Sequence, residues 1–455
     1  MIRFQNKFYQ TVLFLGDTIL FIASVGLAYV LRNKDFSPDY DSLMLLLRVF
    51  SPVFFVIVVS YFIAMLYEVP SLMGAITRVK TILRLHLVAV VFGLALFYIF
   101  PPYGLTPKTI FLLQMVFFTI MQVMWRVYVS HHIRTNRKRK ALLVGEGDEF
   151  TELKQAINSN PQSSITFVEH IEVTSPLLSG GTMDSLRRVL EENDITILVI
   201  DVKSEKVIPL LPYFYNLVGS GIRIYDVNRM YEDTFKRMPL ASVGYFWFFE
   251  NVTLDMKLYE IMKRFLDIVL SIPILVMFGI SLPFVWLANK IEGVGDGTIF
   301  SKQKRLGMNG KMIEIYKYRT MLYTDLGNWR VEHGNKNRDT KVGSFLRKTN
   351  LDEFPQVINI LKGEMSFIGP RNDILSLGEK LQKEIPFYAI RYSIKPGISG
   401  WAQTLQKAKN INPQGLEENI TRFQFDLYYV KNRSLLLDCI IILRTIRIFL
   451  DRLGL

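Results

Sequence analysis

The chain has 455 residues, half of them hydrophobic, and a positive mean hydropathy, which excludes an ordinary soluble protein and suggests two or three domains. The net charge of +13 suits anionic partners, and basic residues beside apolar segments favour lipid headgroups or phosphorylated substrates over nucleic acid. Cys439 is the only cysteine, so no internal disulfide can form, and the five histidines show no metal-ligand spacing.

Four apolar stretches predict membrane-spanning helices, at about 8–31, 44–67, 82–100 and 109–129. No cleavable signal peptide is expected, because the first stretch is long and lacks a small-residue cleavage site. Positive residues precede the first stretch, lie between the second and third, and follow the fourth in "HHIRTNRKRK". The opposite loops, "RNKDFSPDY" and "PPYGLTPK", carry balanced or few charges. Both ends of this bundle are therefore predicted to face the cytoplasm.

Residues 139–236 predict an α/β module outside the membrane. Helix and strand patterns alternate in "SLRRVLEENDITILVIDV" and "LLPYFYNLVGSGIRIYDV", which indicates a parallel sheet with crossover helices. Gly145 and Gly147 follow the first strand, as in a dinucleotide-binding fingerprint, but Phe150 stands where the third glycine belongs. We therefore favour a Rossmann-like module with a regulatory or dimerising role over one that binds a cofactor.

The fifth apolar stretch, "KRFLDIVLSIPILVMFGISLPFVWLANK" (263–290), predicts a helix that enters the membrane and returns to the same face. Two prolines each remove a helical N–H, and a bend at Pro283, where Ser281 can bond freed backbone groups, is preferred over Pro273. The alternative is a fifth true span, which would place all later residues outside the cell. Basic residues on both sides favour re-entry: Lys257, Lys263 and Arg264 before, and Lys302, Lys304, Arg305 and Lys311 after.

The segment "RKTNLDEFPQVINILKGEMSFIGPRND" (347–373) places the acidic pair Asp352 and Glu353 at the start of a predicted helix. A structural interpretation makes them helix caps: Asn350 with Glu353 as a capping box, or Asp352 as the cap with Pro355 in the first turn. The helix is predicted to end at Lys362-Gly363. Its apolar face comprises Leu351, Phe354, Ile358 and Leu361.

Basic residues around the acidic pair favour a chemical interpretation. Cations offset the charge that develops in displacement at phosphorus. An aspartate can attack phosphorus to form an acyl-phosphate, and a neighbouring carboxylate can hold Mg²⁺ against phosphate oxygens. Before the acidic pair, the candidate substrate-binding cations are Arg305 in "SKQKRLG", Lys317 and Arg319 in "YKYRT", and Arg347. After it, the candidate is Arg371 in "GPRN", which follows the short strand "MSFIG".

From about residue 257 to the C-terminus, the chain resembles the bacterial sugar transferases, the monotopic polyprenyl-phosphate hexose-1-phosphate transferases. Four spans and a Rossmann-like module in front are similar to the large subfamily that starts exopolysaccharide, capsule or O-antigen synthesis. The matching pieces, in order, are "KRFLD", "GTIFSKQKRLG", "YKYRTM", "LRKTNLDEFPQVINILKGEMSFIGPR", "KPGISGWAQ" and "DLYYVKNRSLLLD". Their order and spacing argue against chance agreement.

The resemblance implies a soluble UDP-sugar donor, undecaprenyl phosphate as acceptor, Mg²⁺ as cofactor, release of UMP, and a covalent two-step course. It implies that Asp352 is the nucleophile and that Glu353, together with Asp352, binds the metal. It also implies that Arg347 binds phosphate and that Pro370-Arg371 starts a Pro-Arg-Pro motif that binds substrate near the nucleotide. Lys263 and Arg264 match the basic pair that opens the re-entrant helix and are likewise expected to bind substrate. A homodimer is expected from the subfamily.

The resulting expectation is a membrane protein of the bacterial inner membrane with three parts. They are an α-helical bundle of four transmembrane helices (1–135), an α/β Rossmann-like domain (136–250) and a mostly α monotopic catalytic domain (251–455). The re-entrant helix covers 261–288, and the catalytic domain faces the cytoplasm. The C-terminal stretch, in which arginines interrupt apolar residues, fits either an interfacial helix in contact with membrane lipids or an ordinary core helix.

The sequence departs from the family pattern at two places. Asn372 replaces the second proline of Pro-Arg-Pro, and the Ser-Pro pair of the membrane break is spread as Ser281-Leu282-Pro283. Trp401 in "KPGISGWAQ" is either an interfacial anchor or core packing, and we favour packing. Two rivals stay open: a membrane scaffold or nucleotide sensor of a polysaccharide assembly complex, and an enzyme whose carboxylate acts as a base without a covalent intermediate.

Overall fold

The computed structural model describes most of the chain in two compact units, Met1–Thr234 and Phe235–Leu455. The predicted domain boundaries at 135 and 250 stay predictions. The loops assigned to the outer face, around 32–40 and 101–108, lie largely outside the described residues. The described residues are 2–34, 40–64, 66–67, 75–99, 108–134, 138–160, 163, 165–172, 183–219, 221–251, 256–292, 299–321, 340–405 and 415–452.

The first unit begins with long apolar helices, as predicted. Each is long and apolar enough to cross a membrane by length and composition. Their mutual contacts are made by large apolar side chains such as Phe50, Phe97 and Phe111, whose rings lie within 6 Å of one another. The helices are α1 (Ile2–Asn33), α2 (Tyr40–Ile63), α3 (Ala75–Ile99) and α4 (Lys108–Arg134).

The first unit continues with a four-stranded parallel sheet in the order β2-β1-β3-β4, with helices in its crossovers. The predicted parallel sheet is therefore present. The Phe150 ring lies where a Cβ on Gly145 would have to be and stacks on His170, so the third fingerprint position is occupied by an aromatic side chain. The elements are β1 (Arg139–Val144), α5 (Asp148–Asn158), β2 (Ile165–Ile171), α6 (Met183–Glu192), β3 (Ile195–Ile200), α7 (Leu211–Gly219), β4 (Arg223–Asp226) and α8 (Val227–Phe235).

The second unit contains the fifth apolar helix, α10 (Lys257–Ile291), which follows the short α9 (Tyr245–Asn251). α10 is also long and apolar enough to cross a membrane. One narrow stripe of its side chains is buried in the unit, and most of its large apolar residues are exposed. The buried residues of this stripe are four or seven positions apart, as one helix face requires: Asp267, Ser271, Phe278, Val285 and Asn289.

α10 is helical throughout, although Pro273 and Pro283 lie inside it. A bend at the predicted position is therefore a bend within one helix. Two hydroxyls lie near this position: Ser281 Oγ donates to the Phe278 carbonyl at 2.9 Å and lies 2.9 Å from the Tyr318 hydroxyl. Tyr318 Oη also lies 3.3 Å from that carbonyl oxygen. The carbonyl that loses its helical donor at Pro283 is the next one, that of Gly279, and the re-entrant course stays a prediction.

An antiparallel hairpin of β5 (Phe300–Leu306) and β6 (Met312–Tyr318) packs beside α10. It was not predicted. After β6 come α11 (Lys341–Lys348), a 3₁₀ turn (Leu351–Gln356), α12 (Val357–Lys362) and β7 (Ser366–Ile368), which pairs in parallel with β8 (Gly397–Ser399). The predicted end at Lys362-Gly363 and the strand in "MSFIG" are confirmed. α13 (Leu375–Glu384) lies between the two strands in the chain.

The C-terminal elements form the main core of the second unit. Trp401 is buried there, stacks on Tyr428 and donates its Nε1–H to the Lys236 carbonyl at 2.9 Å, so it packs in the core as predicted. Arg444 lies over the Trp401 ring. The elements are α14 (Trp401–Leu405), α15 (Leu416–Asn432) and α16 (Leu435–Arg452).

The placement of α10 leads to a labelling prediction. Lys311 is exposed at the β5–β6 turn, and re-entry would keep this turn on the cytoplasmic side. In a Cys439→Ser background, we expect Lys311→Cys to react with an impermeant maleimide only after spheroplasts are permeabilised. Thr106→Cys, in the loop assigned to the outer face, is the positive control and should react without permeabilisation. Reaction of Lys311→Cys in sealed spheroplasts would show that α10 crosses the membrane.

Candidate active site

The acidic pair lies in the 3₁₀ turn between α11 and α12. Asn350, just before it, has a left-handed backbone (φ 54°), and its side chain makes no capping hydrogen bond. Its backbone N–H donates to the Arg347 carbonyl, so the Glu353 side chain does not complete a capping box. The predicted caps are wrong: α12 begins at Val357, after the turn, with no side-chain cap. The carboxylates are therefore left for other partners.

Two cations face the acidic pair. Lys317 Nζ lies 2.7 Å from Glu353 Oε1 and 3.9 Å from Asp352 Oδ2. Arg371 Nη2 lies 3.4 Å from the same Glu353 oxygen. The four side chains are each between 13 and 18% exposed, so they are screened from bulk water yet open on one side. Residues from three separate segments thus converge on one partly buried, charge-balanced cluster.

The electrostatics of this cluster keep Glu353 ionised. Burial opposes ionisation, but the positive charges of Lys317 and Arg371 outweigh it and lower the pKa of Glu353 from its ordinary 4.5 to about 2. A carboxylate held in this state can accept hydrogen bonds or bind a cation across the physiological pH range. It cannot serve as a proton donor there.

The scaffold beneath the cluster is apolar and joins it to α10. Tyr318 follows Lys317 in β6, and successive strand side chains point to opposite faces. Lys317 therefore reaches the acidic pair while Tyr318 reaches Ser281 of α10. The 3₁₀ turn and α10 share one apolar cluster, whose members include Phe278, Val285, Tyr318, Leu346, Leu351, Phe354, Val357 and Ile358.

The structure also brings Arg305, Arg319 and Arg347 to the strands around the site. Arg347 Nε donates to Thr320 Oγ1 at 2.8 Å, just beyond β6. The Nε of Arg319 is buried and has no hydrogen-bond partner among the described residues. Arg305 donates to Gln303 and pairs across the backbone with Ile374, close to the Arg371 loop. Their predicted contacts with substrate stay predictions.

The basic pair at the start of α10 is used by the protein itself. Lys263 Nζ lies 2.8 Å from Asp438 Oδ2 of α16 and 3.2 Å from the Tyr429 hydroxyl. Arg264 donates to the carbonyls of Ile360 and Leu361, at 2.5 and 2.7 Å, and so caps the C-terminal end of α12. Arg264 thus ties α10 to the helix that follows the acidic turn, and Lys263 ties it to α15 and α16. Substrate binding by either one stays a prediction.

The sequence analysis missed a buried set of charges behind Arg371. Pro370 lies just after β7, and its carbonyl accepts from the Gly397 N–H at 2.9 Å. The missed residues are Asp373, Arg391, Arg422 and Asp426, with Tyr388 and Tyr392. The only sequence signal is the presence of charged residues in otherwise apolar runs such as "FQFDLYYV".

The residues present fit Mg²⁺ only as an ion shared with a phosphate ligand. Among the described residues, no group of three or more His, Cys, Asp and Glu side chains is arranged to hold a metal. Asp352 and Glu353 supply carboxylate oxygens, and Mg²⁺ typically takes one or two carboxylates and completes its shell with waters and substrate phosphates. The donor set therefore suits a magnesium–diphosphate complex.

Comparison with known proteins identifies the class of the second unit. Residues 258–452 match the family model "Bacterial sugar transferase". An exopolysaccharide production protein of Rhizobium leguminosarum bv. phaseoli is 35% identical over 191 residues, which are 41% of this chain and 94% of the relative. The chain therefore belongs to the bacterial sugar transferase family.

Two further relatives carry names that state an activity. The UDP-glucose:undecaprenyl-phosphate glucose-1-phosphate transferase of Escherichia coli (strain K12) is 38% identical over 282 residues, 61% of this chain and 54% of the relative. A UDP-N-acetylgalactosamine-undecaprenyl-phosphate N-acetylgalactosaminephosphotransferase of Aeromonas hydrophila is 34% identical over 199 residues, 43% of this chain and 45% of the relative. The chain thus spans about half the length of these relatives.

The low pKa of Glu353 leads to a stability prediction. Because the folded pKa of about 2 lies below the ordinary 4.5, ionised Glu353 stabilises the fold fully above pH 4.5 and loses this contribution as the pH falls towards 2. We expect the thermal unfolding temperature of the purified protein to fall between pH 5 and 3, and Glu353→Gln to reduce that slope. An unchanged slope in Glu353→Gln would contradict the electrostatic assignment. Glu314→Gln, on the exposed side of β6, is the control.

Proposed function

We propose that this protein transfers a hexose-1-phosphate from a UDP-sugar to undecaprenyl phosphate, giving undecaprenyl-diphospho-sugar and UMP. The observation that carries the proposal is the pairing of Asp352 and Glu353 with Lys317 and Arg371 inside the segment that matches the sugar transferase family. The names of the relatives support the donor and acceptor classes. The reaction would be the first membrane step of extracellular polysaccharide synthesis.

In the first step, an Asp352 carboxylate oxygen attacks the sugar-bearing phosphorus of the UDP-sugar. A new P–O bond forms, the bond to the bridging oxygen breaks, and UMP leaves with the electron pair. Lys317 and Arg371 lie close enough to the acidic pair to offset the negative charge of the diphosphate as the carboxylate approaches. The product on the enzyme is an acyl-phosphate that carries the sugar.

In the second step, a phosphate oxygen of undecaprenyl phosphate attacks the same phosphorus. The acyl P–O bond breaks, Asp352 recovers its carboxylate, and the lipid carries the new diphosphate. Glu353, with Asp352, would hold Mg²⁺, which when bound would neutralise charge on the phosphate oxygens. Arg305, Arg319 and Arg347, on neighbouring segments, would bind the remaining phosphate charge.

The lipid acceptor requires the site to lie at the membrane surface, and the placement of α10 supports this. The middle of α10, at Phe278 and Ser281, contacts Tyr318, the neighbour of Lys317. A straight transmembrane helix would instead have its middle about 15 Å from either surface, within the hydrocarbon core. We infer that α10 re-enters on the cytoplasmic face of the inner membrane, with its exposed apolar side chains in lipid.

The test is Asp352→Asn in membranes, scored as UMP release from a panel of UDP-sugars with undecaprenyl phosphate. We expect a loss of at least about a thousandfold in rate, because an amide is a far weaker nucleophile than a carboxylate. Glu314→Gln should keep wild-type activity, and equal thermal unfolding temperatures would exclude a folding defect. Asp352→Asn activity near that of the wild type would refute the mechanism. No UMP release by the wild type would favour the scaffold alternative.

A further inference from the structure

A cluster of four buried charges lies directly behind the loop that carries Arg371. Arg391 forms ion pairs with Asp373 and, at 2.7 Å, with Asp426 Oδ2, while Arg422 Nη2 lies 3.3 Å from Asp373 Oδ1. The hydroxyls of Tyr388 and Tyr392 donate to Asp373 Oδ2 at 3.0 and 2.8 Å. All four charged side chains are almost completely buried.

Both guanidiniums of this cluster converge on one backbone atom. Arg391 Nη2 and Arg422 Nη2 each donate to the Arg371 carbonyl oxygen at 2.8 Å. The guanidinium of Arg371 itself points to the acidic pair, with Nη2 3.4 Å from Glu353 Oε1. Hydrogen bonds from charged donors are stronger than neutral ones, so this peptide group is fixed by two strong contacts immediately behind the site.

Stability alone does not explain such a cluster. Removing charges from water costs several kcal/mol for each ion, and well-packed apolar residues often give equal or greater stability in the same volume. Burial opposes ionisation of Asp373, yet the charges of Arg391 and Arg422 lower its pKa to about 2, so Asp373 stays charged between the two arginines. A charged cluster maintained at this cost has a geometric consequence: it fixes where the Arg371 backbone lies.

The residue after Arg371 does not itself restrict the loop backbone, so the contacts to the Arg371 carbonyl are needed to hold it. Asn372 lacks the ring that would restrict φ at this position. Before Arg371 the loop is held by backbone pairing, in which Gly369 N–H donates to Ser399 and Gly397 N–H donates to Pro370. Backbone pairing resumes at Asp373, whose carbonyl accepts from the Leu306 N–H at 3.1 Å. Between these points, the two buried arginines fix the Arg371 carbonyl.

We propose that Arg391 and Arg422, anchored by Asp373, are positioning residues that aim Arg371 at the diphosphate of the nucleotide sugar. They touch neither substrate nor Asp352; they act through the Arg371 peptide group. This inference rests on the proposed function, because it assigns Arg371 to substrate phosphate. The two arginines would hold the loop backbone at the point where Asn372, rather than a second proline, follows Arg371.

The test is a double-mutant cycle between Arg422 and Arg371, with kcat/KM for the UDP-sugar and the dissociation constant for UDP as readouts. Arg422→Lys keeps the charge but loses the rigid planar guanidinium, which sets Nη2 at 2.8 Å from the Arg371 carbonyl oxygen and 3.3 Å from Asp373 Oδ1. We expect it to lower kcat/KM about tenfold or more in the wild-type background, since a misplacement of 1 Å can cost about a hundredfold. In an Arg371→Ala background, the same change should cost less than about twofold.

The matched control is Arg433→Lys, at another buried arginine of this unit, which pairs with Glu260. It should lower the thermal unfolding temperature as much as Arg422→Lys while leaving kcat/KM near the wild-type value. Additive effects of Arg422→Lys and Arg371→Ala on both readouts would overturn the positioning role in an active enzyme. A wild type that releases no UMP would instead refute the proposed function and this inference with it.

Discussion

In the proposed reaction, a carboxylate attacks a diphosphate and so brings negative charges together, and nearby cations must reduce that repulsion. Here Lys317 and Arg371 supply the positive charge, within 4 Å of the acidic pair. Coulomb attraction is stronger in a partly buried site than in water, because the effective dielectric constant is lower. The surrounding structure serves this contact: β6 carries Lys317, the 3₁₀ turn carries the acids, and the loop after β7 carries Arg371.

Strand β6 also connects the charged site to α10, the helix that we propose enters the membrane. Lys317 and Tyr318 are neighbours in β6, so one side chain reaches the carboxylates and the next reaches α10 near Pro283. Arg264 adds a second link, because it starts from α10 and caps the helix that follows the acidic turn. A displacement of α10 would therefore move both the cation and the turn. In our proposal, this coupling holds a nucleotide-sugar site at the depth of a lipid phosphate.

Local patterns predicted much of the fold and less of the site. Apolar runs predicted the long helices, alternating patterns predicted the parallel sheet, and Gly363 marked the end of α12, because each signal depends on neighbouring residues. The capping box failed because Glu353 bonds Lys317, 36 residues away in the chain, in preference to its own backbone. The pairing of Asp373 with Arg391 and Arg422 was missed for the same reason, because it joins residues that are distant in the chain. The hairpin β5–β6 is a local element, and it was missed because charged residues interrupt the apolar alternation of its first strand, "FSKQKRL".

The central claim, covalent catalysis by Asp352, can be tested by trapping. Purified protein is mixed with a UDP-sugar in the absence of undecaprenyl phosphate, quenched, and analysed by intact and peptide mass spectrometry. The account predicts a mass increase of one phospho-sugar on the peptide that contains Asp352, one equivalent of UMP, and loss of the adduct when undecaprenyl phosphate is added. UMP release that strictly requires the acceptor, with no adduct under turnover conditions, would contradict it and favour direct displacement.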